Sequence, residues 1–463
     1  MIWVVSAFMV LLLFVGLSAR RSGSSRDSFF VAGRKGSVRS IGGSLLATVV
    51  GGSATIGVAG LVYTRGLTGI WWSLIGSIGL AVLAFAVVPR IRRFDVYTLP
   101  GLIDRLYGRR VSIVAALLIV VAWTGVLSGQ IVAASRVFAA MGTGSLWLWM
   151  TLFSVVIIVY AVVGGQAAII RTDLAQAMMI VVGLSLGAVV LLSDFGGLGG
   201  VAAALPSGSL SFPVSAEFGW ADLATMSVLV GSVYLVGPDI YTRVFSSRDV
   251  KTARRAALWA AAVGIPVACL VGFMGLAARV LAPGIPAEEA LPWLAAHAFP
   301  SGVSAVLFAG LVAALMSSAD SILLGQGVVF ADDVLGRIWK VDDARAVMLA
   351  RVSVIGIGLV SLFLALSLRG VIASLMFAYS VFTSGIVGPV LLGLFGGRFR
   401  PSGSAALVGI CVGGALGLCG ALPGLEIPMK SQLALIGMGL SIVVPLVLTL
   451  IGFGSNRNSS AMV

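Results

Sequence analysis

The sequence predicts an all-α polytopic membrane protein with about thirteen transmembrane helices, with the N-terminus outside and the C-terminus inside. Of its 463 residues, 59% are hydrophobic and 10% are charged, and the mean hydropathy is +1.12. A soluble domain has about 25% charged residues. The 60 glycines agree with this class, because small residues let membrane helices pack closely and tolerate broken helices.

Each predicted helix is an apolar run of about the length that crosses a bilayer, roughly 20 residues. The runs lie near 2–18, 40–63, 68–91, 111–135, 146–164, 168–193, 223–246, 253–281, 301–331, 346–367, 371–396, 402–422 and 432–453. The first run is interpreted as a membrane helix rather than a signal peptide, because Arg20 and Arg21 follow it and no cleavage site is evident. The longest stretch between runs, 194–222, is predicted to be an outer loop.

Basic residues predict the orientation of the chain. With the N-terminus outside, all but five of the 30 Lys and Arg fall on the inner side. The five on the outer side are Arg65, Arg136, Arg279, Arg369 and Lys430. Because loops rich in Lys and Arg stay cytoplasmic, the net charge of +13 faces anionic lipid and does not indicate a nucleic-acid partner. The expected location is a cell membrane, namely the bacterial inner membrane.

Enzyme chemistry is not expected. The three cysteines, Cys269, Cys411 and Cys419, lie inside apolar runs without metal-ligand spacing, and His297 is the single histidine. The sequence contains no nucleophile elbow and no zinc-protease motif.

Acidic residues inside apolar runs are the first candidates for function, because an ionisable group in lipid costs about 3 kcal/mol on insertion scales. Asp173 stands beside Thr172 and Gln176, which are four apart and therefore share a helix face. The alternative for Asp173 is an ion pair with Arg171 at the inner end of the helix.

A second acid, Asp239, follows Gly237 and Pro238, which interrupt a predicted helix. Proline removes a donor, so backbone carbonyls are freed, and freed carbonyls in a membrane indicate a binding site. The alternative is a simple proline kink in which Asp239 pairs with Arg243 at i+4.

The third acid, Asp320, lies in GLVAALMSSADSILLG, where Ala314, Ser317, Ser318 and Ser321 follow one helical stripe. Small residues with outward oxygens suit a hard monovalent cation, which prefers oxygen ligands to thiol or imidazole. The alternative is a serine-lined helix contact.

A fourth feature carries no charge. In ATVVGGSATIG, Gly51, Gly52 and Ser53 break an apolar run near its middle. Discontinuous membrane helices offer carbonyl oxygens to an ion and a half-helix N-terminus to an anionic group. The alternative is close helix packing through glycine.

Four motifs together resemble the sodium/solute symporter family, which includes sodium–glucose, sodium–proline, sodium–sialic acid and choline transporters. They are DSFFVAGRKGS, SLLATVVGGSATIGVAGLVYTRGL, YAVVGGQAAIIRTDLAQ and AALMSSADSILL, in the order and spacing of the family. The resemblance implies a LeuT-like core of two inverted five-helix repeats, at 40–193 and 223–396. The segment 1–39 would add one helix and an inner loop, 194–222 the outer loop, and 397–463 two helices and a tail.

The resemblance also implies ion sites. The main sodium site would use the backbone carbonyls of Ala47, Val50 and Ala314 and the hydroxyls of Ser317 and Ser318. Some relatives hold a second sodium ion, whose ligands would fall on Asp173, Ser317, Asp320 and Ser321. In the sialic-acid branch position 320 is a serine. The aspartate here leaves open a second cation site, a proton site or a buried salt-bridge position.

The resemblance does not identify the transported solute, because the pocket positions match no branch of the family. Ser53 and Ala54 stand where the sugar branch has polar groups, and Val49 stands where the choline branch has a Trp. We therefore expect a small organic anion, an amino acid or a similar zwitterion. Candidate pocket residues are Gly51, Gly52, Ser53, Trp71, Tyr234, Pro238 and Tyr379.

The predicted function is sodium-coupled import by alternating access, with sodium as the coupling ion, no other cofactor and no obligate protein partner. Proton coupling is the alternative within transport, because Asp173 and Asp320 are able to titrate. A transporter-like membrane sensor is the alternative outside it.

Overall fold

A computed structural model describes residues 26–142, 144–339, 342–368, 370–422 and 432–453, together with residues 7, 10 and 14. This part of the chain is helical apart from its turns and two isolated β-bridges. Apart from those three positions, the predicted first span at 2–18 lies outside the described residues, as do Arg369, Lys430 and the tail after residue 453.

The described residues of the first half of the chain form nine α-helices. They are α1 (Arg26–Val31), α2 (Val38–Val49), α3 (Val58–Arg65), α4 (Trp71–Val82), α5 (Val88–Ile91), α6 (Leu99–Tyr107), α7 (Arg109–Ala140), α8 (Leu146–Asp194) and α9 (Leu198–Ala204). Single π-helical turns, Ser53–Gly57 and Leu83–Val87, lead into α3 and α5.

The second half repeats this pattern of long helices with short interruptions. Its helices are α10 (Trp220–Val236), α11 (Pro238–Ser246), α12 (Val250–Leu281), α13 (Ala290–His297), α14 (Ser301–Val328), α15 (Gly336–Trp339), α16 (Asp343–Leu368), α17 (Val371–Phe382), α18 (Gly388–Phe395), α19 (Gly403–Ala421) and α20 (Leu433–Leu450). The π-helical turns Val329–Leu335 and Thr383–Val387 precede α15 and α18.

Local chemistry explains where two of these helices begin. Ser37 and Ser40 form a reciprocal capping box before α2, with Ser40 N donating to Ser37 Oγ at 3.2 Å. Asp249 caps α12, where Thr252 N donates to Oδ1 at 2.6 Å. This backbone hydrogen bond, followed by that of the Thr252 side chain, lowers the pKa of the exposed Asp249 carboxyl.

Three interruptions shape the core. After α2 the backbone leaves the helix at Val50 (φ −88°, ψ 46°) and re-enters at Gly52. At Gly165 (φ 62°) the long α8 is divided in two, in a conformation that glycine adopts most readily. Gly237 (ψ 129°) separates α10 from α11, whose first residue is Pro238.

The helices at the centre are buried on all sides. The helix α14 packs along α8 and also contacts α2, α7 and α11, while α2 lies between α8 and α12. Residues 304–328 of α14 are almost all buried. A helix that is enclosed all round can hold polar groups that never meet lipid.

The described residues contain ten helices long and apolar enough to cross a membrane. This figure joins predicted runs 40–63 and 68–91, joins 146–164 and 168–193, and omits 2–18. The total number of spans and the orientation of the termini stay predictions. The short helices α6, α9 and α13 were not expected, because helices of only seven to nine residues form no long apolar run.

Candidate functional site

The serine stripe of α14 meets the broken end of α2. Ser317 Oγ donates to the carbonyl oxygens of Ala47 at 2.9 Å and of Ala314 at 3.0 Å. Ser318 Oγ lies 2.9 Å from the carbonyl oxygen of Thr48 and 3.3 Å from that of Ala47. Both hydroxyls are fully buried. The stripe and the break, separated by about 270 positions, thus form one cluster of oxygens.

The local fold explains why these carbonyls face serines. The last carbonyls of a helix have no intrahelical partner, and α2 ends at Val49. The N–H of Val50 still donates a helical hydrogen bond, to the carbonyl oxygen of Leu46 at 2.8 Å. No described hydrogen bond uses the Val50 carbonyl, so the expected ligand lies at the break without a partner among the described residues.

Glycine is required at the break by close approach. A Cβ on Gly51 would lie 2.2 Å from Ser318 Oγ, and one on Gly52 would lie 2.8 Å from Gln130 Oε1. Gln130 Oε1 accepts a hydrogen bond from Gly52 N at 2.8 Å, which fixes the backbone after the break. A side chain of α7 therefore accepts a hydrogen bond from Gly52, while a side chain of α14 packs against Gly51.

The cluster fits a sodium ion by its donor set. It offers neutral carbonyl and hydroxyl oxygens from two helices, within hydrogen-bond distance of each other and away from solvent. Oxygen ligands without nitrogen or sulfur suit a hard monovalent cation. The structure brings Ala47, Ala314, Ser317 and Ser318 together and adds Thr48.

A second polar cluster surrounds Asp173 and contains a buried arginine. Ser44 Oγ donates to Asp173 Oδ2, and Arg243 Nη2 lies 3.9 Å from the same oxygen. Arg243 Nη2 also donates to Ser321 Oγ. Ser321 Oγ lies 3.3 Å from Asp320 Oδ1. All five side chains are essentially inaccessible to solvent.

This geometry departs from both alternative pairings. Asp173 is fully buried and faces Ser44 and Arg243, whereas Arg171 is exposed. Arg243 Nη1 donates to the backbone carbonyl of Asp239 at 3.0 Å and not to its carboxylate. Local spacing suggested partners two and four positions away along the chain, but the guanidinium of Arg243 faces acids on other helices.

Aromatic side chains and one carboxylate lie at the second helix break. Tyr379 stacks on Trp72, with ring centroids 5.7 Å apart. The carboxylate of Asp239 is close enough to Tyr234 and Tyr379 to act on their hydroxyls electrostatically, and it faces the indole of Trp123. Neither Asp239 Oδ1 nor Trp123 Nε1 has a hydrogen-bond partner in the described part of the chain.

Trp71 differs from the other candidate pocket residues in its surroundings. Its Nε1 donates to the carbonyl of Pro213 at 2.8 Å, and its ring stacks on Phe212 at 5.0 Å. The side chain therefore packs against the connection between α9 and α10. The neighbouring Trp72, 2% exposed, is the tryptophan that faces Tyr379.

The sequence reasoning missed Thr48, Trp72, Trp123, Gln130 and Arg243 as members of these clusters. Gln130 and Trp123 belong to α7, whose apolar run gave no sign of a site. The signal that was available for Arg243 is its position one turn after Asp239, inside an otherwise apolar run. A cation within a membrane helix requires a partner.

Two broken helices beside a buried oxygen cluster are typical of an ion-coupled secondary transporter. The chain belongs to the sodium:solute symporter family, whose profile matches residues 29–413. A sodium/glucose cotransporter of Vibrio parahaemolyticus is 25% identical over 437 residues, which cover 85% of this chain and 79% of that protein. A high-affinity proline transporter of Bacillus subtilis is 26% identical over 456 residues, 90% and 91% of the two chains.

Solved structures show the same fold. A Na+-coupled sialic acid symporter, in a substrate-bound outward-open state, superposes with a TM-score of 0.82 at 17% identity over 97% of both chains. MhsT in complex with L-phenylalanine gives 0.57 at 17% identity over 90% of this chain and 99% of the other. The protein is therefore a multi-pass membrane protein with a LeuT-like core, and members of its family are transporters rather than enzymes.

Proposed function

We propose that this protein imports a small organic solute together with sodium by alternating access. The observation that carries the proposal is the contact of the Ser317 and Ser318 hydroxyls with the terminal carbonyls of α2. The proposed sodium ligands are Ala47, Val50, Ala314, Ser317 and Ser318, with Thr48 added by the geometry. A cation at this point bridges α2 and α14.

The domain division supports a rocking motion. The proposed repeats, 40–193 and 223–396, each begin with a broken helix, interrupted at Val50–Gly52 in the first and at Gly237 in the second. Broken helices at equivalent places of two repeats mark the binding region of such transporters. Sodium binding would favour the arrangement in which α2 and α14 touch, and solute binding near the same break would be coupled to it.

The geometry favours an amino acid or similar zwitterion over a simple organic anion. The Oδ1 atom of Asp239 is buried without a described partner, and Tyr234, Tyr379 and Trp123 lie near its carboxylate. A carboxylate beside aromatic faces suits an ammonium group. The half-helix that starts after Gly51 and Gly52 suits the carboxylate of the same solute.

A thermal-shift screen of purified protein tests the proposal directly. Small acids, amino acids and amines are each added with sodium or with potassium at equal ionic strength. We expect amino acids to raise the melting temperature only in sodium, because each ligand stabilises the state that binds the other. Stabilisation by acids alone would contradict the zwitterion proposal while leaving sodium coupling intact.

Uptake into proteoliposomes then separates sodium from proton coupling. A solute found in the screen is supplied with a sodium gradient at clamped pH, and separately with a pH gradient in the absence of sodium. We expect accumulation only with the sodium gradient. Accumulation with the pH gradient alone would assign the coupling to a proton, for which Asp173 and Asp320 are the available carboxylates.

A further inference from the structure

We propose that the ends of α3 and α12 on the predicted outer side form a binding site for a small oxyanion, a carboxylate or a phosphate group. The site is a pocket of about 150 Å³, and it lies apart from the proposed sodium and solute sites. Arg65 of α3 and Arg279 of α12 line it together with serines of the connection between α9 and α10. Because a water molecule in the liquid takes about 30 Å³, the space suits an ion of the size of phosphate.

Arg65 has an unused edge on its guanidinium. Its Nε and Nη2 atoms are buried and have no hydrogen-bond partner in the described part of the chain. The guanidinium carbon lies 4.4 Å from the centre of the Phe218 ring, so the ring covers the flat face and leaves the edge nitrogens free to donate. Two such nitrogens on one edge are the pair of donors that binds a carboxylate or a phosphate in a bidentate manner.

Two serine hydroxyls of the same pocket also lack partners. Ser209 lines the pocket and is 4% exposed, and its Oγ has no hydrogen-bond partner among the described residues. The Oγ atom of Ser215, another residue of the lining, is likewise buried and without a described partner. Burial of a hydroxyl without a hydrogen bond is unfavourable. An oxyanion would accept a hydrogen bond from both hydroxyls and from Arg65.

Backbone hydrogen bonds hold the serines in place. Just after α3, the N–H of Leu67 donates to the carbonyl oxygen of Ser209 at 2.8 Å. Ser215 and Phe218 exchange backbone hydrogen bonds at 2.9 and 3.3 Å, which sets the Phe218 ring against Arg65. The pocket is therefore formed before any ligand enters, and ligand binding needs little ordering of the chain.

The two arginines bring positive charge together. Arg279 Nη1 donates to the carbonyl of Thr64 at 3.0 Å, which holds its guanidinium beside the residue before Arg65. Within the described ranges, neither arginine forms an ion pair. The acidic groups nearby are Glu217, an exposed residue of the lining, and Asp222, which acts on Arg65 electrostatically. An oxyanion between the guanidiniums would reduce their repulsion.

Two sources would supply such a group, an anion in solution or the phosphate of a lipid headgroup. Leu210, Phe212 and Trp220 belong to the same connection or directly follow it, and their side chains are exposed. Tryptophan is enriched where a membrane meets water. The connection thus lies where a headgroup and a dissolved anion are both within reach of the pocket.

A phosphate titration of the purified protein tests the inference in the absence of solute. Sodium phosphate replaces sodium chloride at constant sodium concentration and ionic strength, and the melting temperature is followed. We expect a saturable rise for the wild type, because a ligand of the folded state stabilises it. Arg65→Gln should lose this rise and keep only the general stabilisation by phosphate as an excluded salt. Arg110→Gln, at the exposed start of α7, removes an equal charge and should behave as the wild type.

Glu217→Gln distinguishes a binding site from arginines that only stabilise the fold. The substitution removes the carboxylate of the lining, so phosphate should bind about threefold more tightly. Arginines with a purely structural role predict no phosphate dependence in either variant. No saturable rise in the wild type, an equal rise in Arg65→Gln, or weaker phosphate binding in Glu217→Gln would overturn the inference.

Chemical modification of the wild type gives the place of binding and does not depend on the folding of any variant. Phenylglyoxal reacts with guanidiniums, and peptide mass spectrometry measures the rate at each arginine. Saturating phosphate should slow the modification of Arg279 by about fivefold or more and leave that of Arg110 unchanged. Equal rates at Arg279 with phosphate and with chloride would contradict the site.

The same reaction separates the two sources of the oxyanion. In phosphatidylglycerol nanodiscs without added phosphate, a headgroup in the pocket would slow the modification of Arg279 relative to delipidated protein in detergent. A dissolved anion as the ligand predicts slowing only after phosphate is added. Protection in neither condition would overturn the inference. Since sodium is constant throughout, that failure leaves the proposed sodium symport untouched, and a protein without sodium coupling is still able to bind phosphate here.

Discussion

The hydroxyls of Ser317 and Ser318 turn a helix end into a site. Helix ends leave carbonyl oxygens without partners, and in a membrane these need another group. Here two serines donate to the carbonyls of Ala47 and Thr48. A hydroxyl oxygen that donates a hydrogen bond still has lone pairs for a cation. The same contacts therefore stabilise the break and leave oxygens available to an ion.

Replacing Ser318 with alanine should weaken sodium binding by about tenfold or more, since a ligand to a charged group is worth roughly 1.5–3 kcal/mol. Ser317→Ala should do the same, because both oxygens belong to one cluster. The measurement is the sodium dependence of the melting temperature. Ser304→Ala is the control: Ser304 is a buried serine of the same helix whose hydroxyl, within the described part of the chain, donates only to the carbonyl of Phe299, at 3.2 Å. Wild-type sodium affinity in both site variants would refute the site.

Asp239→Asn should abolish stabilisation by amino acids while keeping stabilisation by sodium. The substitution keeps the size of the side chain and removes the charge that attracts an ammonium group, so solute binding should fall by more than about tenfold. Asp222→Asn, at the exposed start of α10, is the matched control, where the carboxylate accepts a hydrogen bond from Gly219 N at 2.9 Å and lies near Arg65. Unchanged amino-acid binding in Asp239→Asn would place the ammonium elsewhere.

The arrangement of residues along one helix could be predicted from their spacing, whereas contacts between helices could not. The stripe of Ala314, Ser317 and Ser318 could be read from a period of three to four residues. The partners of Arg243 could not, because Ser321 is 78 positions away and Asp173 lies on another helix. Spacing favoured Asp239, one turn earlier, whose carboxylate Arg243 does not contact within salt-bridge distance.

At the scale of the element, the break after α2 depends on two glycines that are approached from different sides. Ser318 Oγ lies 2.2 Å from the place that a Cβ of Gly51 would take, and Gln130 Oε1 lies close to Gly52. The break was visible in the sequence as ATVVGGSATIG. The helices that fill the space beside the break could not be identified from the sequence, because a small residue is compatible with either a break or close packing.

Gly51→Ala should impair sodium binding and stability together. The added Cβ would lie 2.2 Å from Ser318 Oγ, so α2 and α14 must separate, which costs about 1–3 kcal/mol for overpacking. Gly439→Ala in α20 is the control, because nothing lies within 4 Å of its Cβ, and alanine there should be neutral or stabilising by up to about 1 kcal/mol. Equal sodium affinity in Gly51→Ala and the wild type would show that the helices do not need this contact.

Helix existence was easier to predict than helix face. The apolar runs agree with the described helices to within a few residues for most spans, because length and hydropathy are local properties. The choice between Trp71 and Trp72 requires the rotation of α4, and two adjacent tryptophans give no periodicity from which to infer it. The structure turns Trp72 inward to Tyr379 and leaves Trp71 against Phe212.

At the scale of the whole molecule, ion pairs join the segments on the predicted cytoplasmic side. Arg337 contacts Asp104 at 2.7 Å and Asp333 at 3.0 Å, and Arg26 pairs with Asp332. Thr98 Oγ1 donates to Asp333 at 2.5 Å. These contacts connect α1, which precedes the proposed repeats, with α6 of the first repeat and the π-helical turn after α14 of the second.

A tyrosine completes the network. The hydroxyl of Tyr97 donates to Asp27, and the ring lies 5.3 Å from the guanidinium carbon of Arg26. Burial, followed by the neighbouring Asp27 carboxylate, raises the pKa of Tyr97 to about 12. The hydroxyl therefore stays protonated and remains a donor at neutral pH. Such a network would favour a closed inner side, the arrangement in which solute and sodium reach their sites from outside.

Arg337→Gln should loosen this inner side without touching the sodium ligands. It removes both ion pairs and leaves the fully buried Asp333 with Thr98 as its hydrogen-bond partner. Amide exchange in α6 should become at least fivefold faster, about 1 kcal/mol of local opening. Because opening of the inner side competes with the state that binds external sodium, apparent sodium affinity should fall as well. Arg345→Gln is the control, since its pair with Asp342, at 3.7 Å, is 72% and 64% exposed and worth little. Unchanged exchange in Arg337→Gln would mean that packing alone, and not this network, holds the inner side closed.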